Sequence, residues 1–360
     1  MHPGAWAAWV TLVMVVALAT TNPLYLVLLL LCVLVVAAFA PRQAAGVASF
    51  RTLAFFGFAM LPVSVLIATV NGGYGDHILF TVPGPEVPRW LGGLRLGGPV
   101  SAESLAGAVI RGLTIICIFL AFGVFNGAVS PHRVLRSTPG ALFQASLVVT
   151  IGLTLLPASI EDFRRIRELR ALRGAPTGFR GLPGLVVPSV INGLERAMQL
   201  AEAMEARGFA ASSPPPAWAR LVAALSAPLL IAAAWAWFYT EGGRPAGGLL
   251  ALAGAACIAL WLVAASRAHR TTSFAGDRPG PAERAAVALS GIAVLGVLVM
   301  RNVGIGGLTY NPFAGLPTPA FSAPAAALVL ATLWPAGFAL LDRRLGEDVR
   351  PAPRAPEAVP

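Results

Sequence analysis

Residues 23 to 40 read PLYLVLLLLCVLVVAAFA, a run without one charged side chain. It approaches the roughly 20 residues that a helix needs to cross the hydrocarbon of a bilayer. Comparable runs occur at 5–20, 51–71 and 103–127, and again at about 218–238, 246–265, 285–302 and 322–341. The chain is 57% hydrophobic and 12% charged, with a mean hydropathy of +0.75, which is more apolar surface than a water-soluble domain can bury. Inside lipid the backbone polar groups must be satisfied within each segment. The fold class is therefore all-α, a polytopic integral membrane protein.

The basic residues narrow the function. All 26 are Arg, and there is no Lys. A Walker A loop, a protein kinase or a Schiff-base enzyme each requires a lysine, so any ATP that drives this protein binds another subunit. The net charge of +10 does not point to nucleic acid, because the arginines lie mainly in loops between apolar runs, as the positive-inside bias places them. Cys32, Cys117 and Cys257 stand singly in apolar runs and read as packing residues. The apolar start lacks a basic n-region and reads as a retained span, with Trp6 and Trp9 in an interface belt.

Loop charge sets the expected topology. Arg42 and Arg51 put the 41–51 loop, and with it the N-terminus, in the cytoplasm, and the Gly- and Pro-rich connection at 72–102 outside. His132, Arg133 and Arg136 then return the chain inside. A further crossing at 142–158 would export the Arg-rich region that follows, so this segment is read as an interfacial helix ending at Pro157. The 266–284 loop carries Arg267, Arg270, Arg278 and Arg284, whereas 303–321 has no charge. The expected organisation is an N-terminal membrane region at 1–158, a cytoplasmic helix pair at 159–210, a Pro-rich linker at 211–217, a C-terminal membrane region at 218–342 and a disordered tail at 343–360.

The 159–210 region holds 8 of the 26 basic and 6 of the 16 acidic residues, a charged island in a chain that otherwise avoids charge. Its first part, SIEDFRRIRELRALRG from Ser159 to Gly174, opens like a capping box at Ser159 and Asp162. Ile160, Phe163, Ile166 and Leu169 recur at near-helical spacing, and Arg173-Gly174 closes it. The second helix, starting near Ser189 or Asn192, sets Ile191, Leu194, Met198 and Ala201 against Glu195, Gln199, Glu202 and Glu205. It ends on Ala206-Arg207-Gly208. A helix-terminal cation offsets the dipole and glycine stops a helix, which explains one such ending. Two on neighbouring amphipathic helices point to a pair of guanidinium groups offered to acidic grooves, which their planar forks suit.

An apolar helix ending in proline, a charged helix closing on Arg-Gly and a second closing on Ala-Arg-Gly resemble the transmembrane (T) component of energy-coupling factor transporters, the cobalt-transport permease family. The resemblance covers about residues 5–215. It implies that the two helices are coupling helices, that Arg173 with Gly174, and Arg207 with Ala206 and Gly208, dock into two ABC-type ATPase subunits, and that a small membrane S component binds the vitamin or transition-metal cargo. Leu172 stands where the family pattern has Ala. The resemblance also implies that ATP and Mg are bound by the ATPase subunits, that this chain has no cofactor or metal of its own and no catalytic activity, and that it sits in the cell membrane with the N-terminus, coupling helices and C-terminus cytoplasmic. The last four spans exceed the minimal family pattern and read as a brace for the scaffold, a contact to the S component or a remnant of one, the brace first.

Arg111 lies about eight residues into its span and is read as having no acidic partner in the first four spans. It is either a membrane latch or S-component contact, or a side chain snorkelling to the interface. His2, His77, His132 and His269 are too scattered for a metal site, and no acid, base and nucleophile cluster is evident. The rival reading is a stand-alone secondary transporter, which needs polar or broken helices at mid-membrane.

Overall fold

A computed structural model describes residues 1–40, 44–70, 75–83, 97–138, 140–174, 182–208, 216–240, 244–268 and 280–340. The connector at 175–181, linker residues 211–215, most of the 266–284 loop and the 343–360 tail lie outside them. The elements are α1 (Pro3–Ala19), α2 (Pro23–Phe39), α3 (Ala44–Val70), β1 (Ile78–Val82), β2 (Gly98–Ser101), α4 (Ala102–Ala128), α5 (Pro131–Arg136), α6 (Phe143–Leu172), α7 (Leu182–Ala206), α8 (Ala217–Tyr239), α9 (Arg244–Ala268), α10 (Pro281–Val303) and α11, which starts at Ala323 and tightens into a 3-10 turn from Ala331. Among the described residues seven helices are long and apolar enough to cross a membrane, Ala323–Leu340 counted as one. The 17-residue α1 and α2 are nearly so. The protein is an all-α, multi-span membrane protein.

The chain packs as two units, one of residues 1–133 and 277–360, the other of 134–276. Of the last four spans, α8 and α9 belong to the second unit and α10 and α11 to the first.

In the first unit the core lies between α1, α2 and α4, where Trp6, Trp9, Leu12, Tyr25, Leu29, Ile116 and Leu120 are fully buried. Trp6 and Trp9 are therefore core residues and not an interface belt. They meet edge to face, and the Trp9 indole N–H donates to the Thr332 carbonyl at 2.7 Å, a hydrogen bond that only a buried position rewards. Exposed aromatics instead gather at the end of α8, where Trp235 stacks on Tyr239. Helix α3 lies against α4 through glycines: a β-carbon at Gly57, Gly112 or Gly123 would come within 3.1–3.2 Å of Phe119, Leu61 or Phe50. Small residues let two membrane helices approach this closely.

The α1–α2 turn is locked into the loop after α10. Asn22 caps α2 by accepting the Leu24 N–H at 3.0 Å, and its Nδ2 donates to the carbonyls of Gly307 (2.8 Å) and Ala320 (2.7 Å). Thr20 Oγ1 donates to Leu308 O, and Tyr25 OH donates to Gly306 O. Arg301 donates to the Leu18 carbonyl, one of the orphan acceptors at the end of α1. This explains how an uncharged loop at 303–321 holds its shape: its carbonyls accept from four side chains almost 300 positions earlier, Thr20, Thr21, Asn22 and Tyr25.

Two helix boundaries differ from expectation. Helix α6 runs unbroken from Phe143 to Leu172, through Pro157, so the apolar segment read as interfacial and the first charged helix are one element, which is among the seven long enough to cross. A proline deletes only its own N–H from the ladder, and the long flanking stretches carry the helix past it. With helix already present upstream, Ser159 has no free amides to cap, and its hydroxyl donates back to Leu155 O at 2.9 Å. Helix α7 likewise begins at Leu182, not at Ser189 or Asn192, and passes through Pro188; Ser189 donates to Leu185 O. The connection at 72–102 contributes a small antiparallel pair, Ile78–Val82 with Gly98–Ser101, which its Gly and Pro content hid.

Candidate functional site

The charged island folds as two long helices that cross within the second unit. Asp162 of α6 accepts from Arg196 of α7 at 2.8 Å. Two turns further along α6, the Arg170 guanidinium lies over Gly184, where a β-carbon would overlap it. Position rises along α6 as it falls along α7, so the helices run in opposite senses. The ion pair is partly solvated, and such pairs contribute about 1 kcal/mol or less. Its value is positional: it fixes where the two rods touch.

From that contact the two Arg-Gly endings leave in opposite directions. Arg173 is 11 residues beyond Asp162, and Arg207 is 11 beyond Arg196. At 1.5 Å per residue each lies about 16 Å from the crossing, up to about 33 Å from the other. The sequence put the endings on neighbouring helices; the fold points them in opposite directions.

Locally the endings are alike. Arg173 caps α6 with φ −91°, and Gly174 follows in the left-handed region at φ +68°. Helix α7 stops at Ala206, and Gly208 has φ +75°. The last N–H groups close 3-10 turns: Gly174 to Ala171 O at 3.1 Å, Gly208 to Glu205 O at 2.9 Å. Left-handed backbone is what glycine supplies without a steric penalty. Arg173, Gly174, Ala206, Arg207 and Gly208 are all exposed, and neither glycine has a neighbour where a β-carbon would sit. Gly208→Ala should therefore cost about 1 kcal/mol through backbone alone, with faster amide exchange over the last turn of α7, and Gly208→Asn less.

The tips differ in charge. The end of α6 carries Arg164, Arg165, Arg167, Arg170 and Arg173 around Glu168, whereas Arg207 follows Glu202 and Glu205. Leu172, the residue that departs from the family pattern, is 85% exposed, so it narrows nothing within this chain. On α7 the expected apolar face is uncovered: Ile191, Leu194 and Met198 are each more than half exposed.

Arg111 belongs to the other unit. It is exposed on α4, and its guanidinium reaches back one turn to Gly107, beside Pro312 and Phe313. That is the direction helical side chains lean. The reading that its span lacks an acid overlooked Glu103 in the first turn of α4. Glu103, Gly107 and Arg111 stand at i, i+4 and i+8 on one face, a spacing visible in the sequence. Glu103 is buried and its partner is His77, at 2.6 Å. Cys32 and Cys117 are buried and unbridged. Among the described residues no three His, Cys, Asp or Glu side chains gather as a metal site would require.

Comparison with models of protein families, with curated proteins and with solved structures finds no match for this chain.

Proposed function

We propose that this protein is the non-catalytic transmembrane scaffold of an ATP-driven importer of the energy-coupling factor kind, with α6 and α7 as its coupling helices. One observation carries the reading: two exposed helix ends of the same Arg-Gly geometry leave one crossing in opposite directions. Each is built as a handle. The helix is rigid, the left-handed glycine ends it cleanly, and the arginine presents a fork of donors matched to a carboxylate.

Tips up to about 33 Å apart do not share one groove. They suit two cytoplasmic ATPase subunits, which bind ATP and Mg, approach one another on nucleotide binding and carry the helices with them. The surplus of arginine at one tip and the glutamates at the other suit two acceptor surfaces of different charge. The bare apolar face of α7 suits contact with a membrane partner, the S component that selects the vitamin or metal ion. On this reading the protein lies in the cell membrane with both termini and the coupling helices in the cytoplasm.

The experiment is reconstitution. The purified chain alone in liposomes should move no cargo under any ion gradient, and uptake should require the ATPase and S chains with ATP inside the cytoplasmic compartment. Gradient-driven flux by the chain alone would establish a secondary transporter instead.

A further inference from the structure

The connection between α3 and α4 is fastened to α4 by a pair of side chains that the proposed coupling role does not use. His77 stands just before β1, and its Nδ1–H donates to Glu103 Oε1 at 2.6 Å, while its backbone N–H reaches the same oxygen at 3.2 Å. The His77 carbonyl accepts from Ala102 N–H at 2.9 Å, at the junction of β2 and α4. The histidine and Glu103 are thus joined by side chain and backbone together, across 26 positions of sequence.

The two partners differ in exposure. The His77 side chain is 62% exposed and Glu103 only 1%. Glu103 Oε2 is buried without a hydrogen-bond partner among the described residues, and the backbone of Gly75 closes over it so tightly that a β-carbon there would overlap both Oε2 and Ser101 Oγ. A buried carboxylate with one oxygen unpaired depends heavily on the single group that answers its charge. That group is reachable from water. The other titratable side chain described beside it is Asp76, also acidic; β1 and β2 contribute none, and the loop at 304–321 carries no charge. Arg111, the cation on the same face of α4, lies two turns further in.

We propose that His77 and Glu103 form a pH-operated clasp, closed when the imidazole is protonated, that holds residues 75–83 and the strand pair of β1 and β2 against the first turn of α4. In the closed state the imidazolium neutralises Glu103. When His77 loses its proton to the solvent, one neutral N–H must serve a buried charge, and the clasp releases. The Glu103 hydrogen bond and charge hold the His77 pKa above its ordinary value, Asp76 adding to them. A raised pKa of this kind means that the stabilisation is fully present below the ordinary histidine range and is lost as pH rises through the displaced value. The aqueous phase on this side of the membrane sets the state.

Hydrogen exchange on the full chain in lipid nanodiscs tests this, with rates corrected for the intrinsic pH dependence of the chemistry. In wild type, protection of the amides at 77–82 and 98–104 should fall as pH is raised across the histidine range. Imidazole NMR, with the His77 signal identified by its loss in His77→Gln, should show titration above the ordinary range, and each unit of displacement should match about a tenfold change in protection. In His77→Gln, whose exposed side chain leaves the fold intact, protection should equal that of wild type at high pH and show no pH dependence. Protection that is flat with pH in wild type, pH dependence that survives in His77→Gln, or an imidazole titrating at or below the ordinary value would each overturn the clasp. Glu103→Gln should abolish both the displacement and the pH dependence; a displaced imidazole in that variant would also overturn it.

Discussion

Reversing both tip arginines, Arg173→Glu with Arg207→Glu, is expected to reduce ATP-driven uptake to background and to remove the ATPase chains from the purified complex, while the scaffold itself still inserts and folds. Both side chains are exposed and make no described contact within the chain, so nothing internal is lost. In a docked complex, removing one partner of a desolvated, hydrogen-bonded charge pair costs about 2–5 kcal/mol, and inserting a carboxylate into an acidic groove costs more. At about 1.4 kcal/mol per tenfold change, each site loses on the order of a hundredfold in affinity or more. The single reversals should be milder in recovery than in transport. One intact tip still tethers the ATPase pair, but force then reaches the membrane from one side only. Arg220→Glu, an exposed arginine on α8 that belongs to neither Arg-Gly ending, should leave recovery unchanged. A double variant that still transports would end the proposal.

The largest effect on stability is expected at Asn22. This side chain is fully buried, and it satisfies the Leu24 amide and the carbonyls of Gly307 and Ala320 at once. Asn22→Ala leaves three partly buried polar groups without their partner, each costing about 1–2 kcal/mol. The expected loss is about 3–5 kcal/mol, seen as a marked fall in the thermal unfolding midpoint in detergent. Asn22→Asp keeps the cap but turns a carboxylate oxygen toward the two carbonyls, so it should destabilise at least as much as Asn22→Ala. The same substitutions should loosen the 304–321 loop in hydrogen exchange and leave α6 and α7 untouched, because those helices belong to the other unit. An Asn22→Ala protein as stable as wild type would mean that the interlock is not what binds the first helices to the last.

What was legible in the sequence was what depends on neighbours in the chain. Except for α3, which starts at Ala44 and so seven residues ahead of its run, the spans α1 to α4 and α8 to α11 begin and end within a few residues of the apolar runs, because hydrocarbon thickness and backbone satisfaction leave little choice. The Arg-Gly endings were legible for the same reason: a left-handed glycine is a local requirement. Two prolines misled: Pro157, read as a helix end, and Pro188, read as connector, lie inside helices as Pro62 and Pro228 do, since a missing N–H is tolerated where long apolar or amphipathic flanks hold the ladder together. Ser159 and Asp162 also formed a plausible cap on paper, yet Asp162 is committed to Arg196 and Ser159 to Leu155.

The rest was invisible because it is non-local. Nothing near Asn22 announces that its amide will meet residues 307 and 320, and nothing near Glu103 announces His77. The opposed direction of the two tips depends on Asp162 meeting Arg196 and Arg170 lying over Gly184, contacts that no periodicity encodes. Glu103 itself was within reach, at the start of a span and two turns from Arg111, and the i, i+4, i+8 spacing was the signal that identifies it.

The most direct test of the coupling account places a photo-activated cross-linking side chain at position 207, and separately at 173, and irradiates membranes of the cell that makes the protein. The account predicts a covalent adduct between each tip and a nucleotide-binding chain on the cytoplasmic side, with yields that change when a non-hydrolysable ATP analogue is added. Adducts with lipid alone, or tips labelled only by reagents applied from outside the cell, would contradict it.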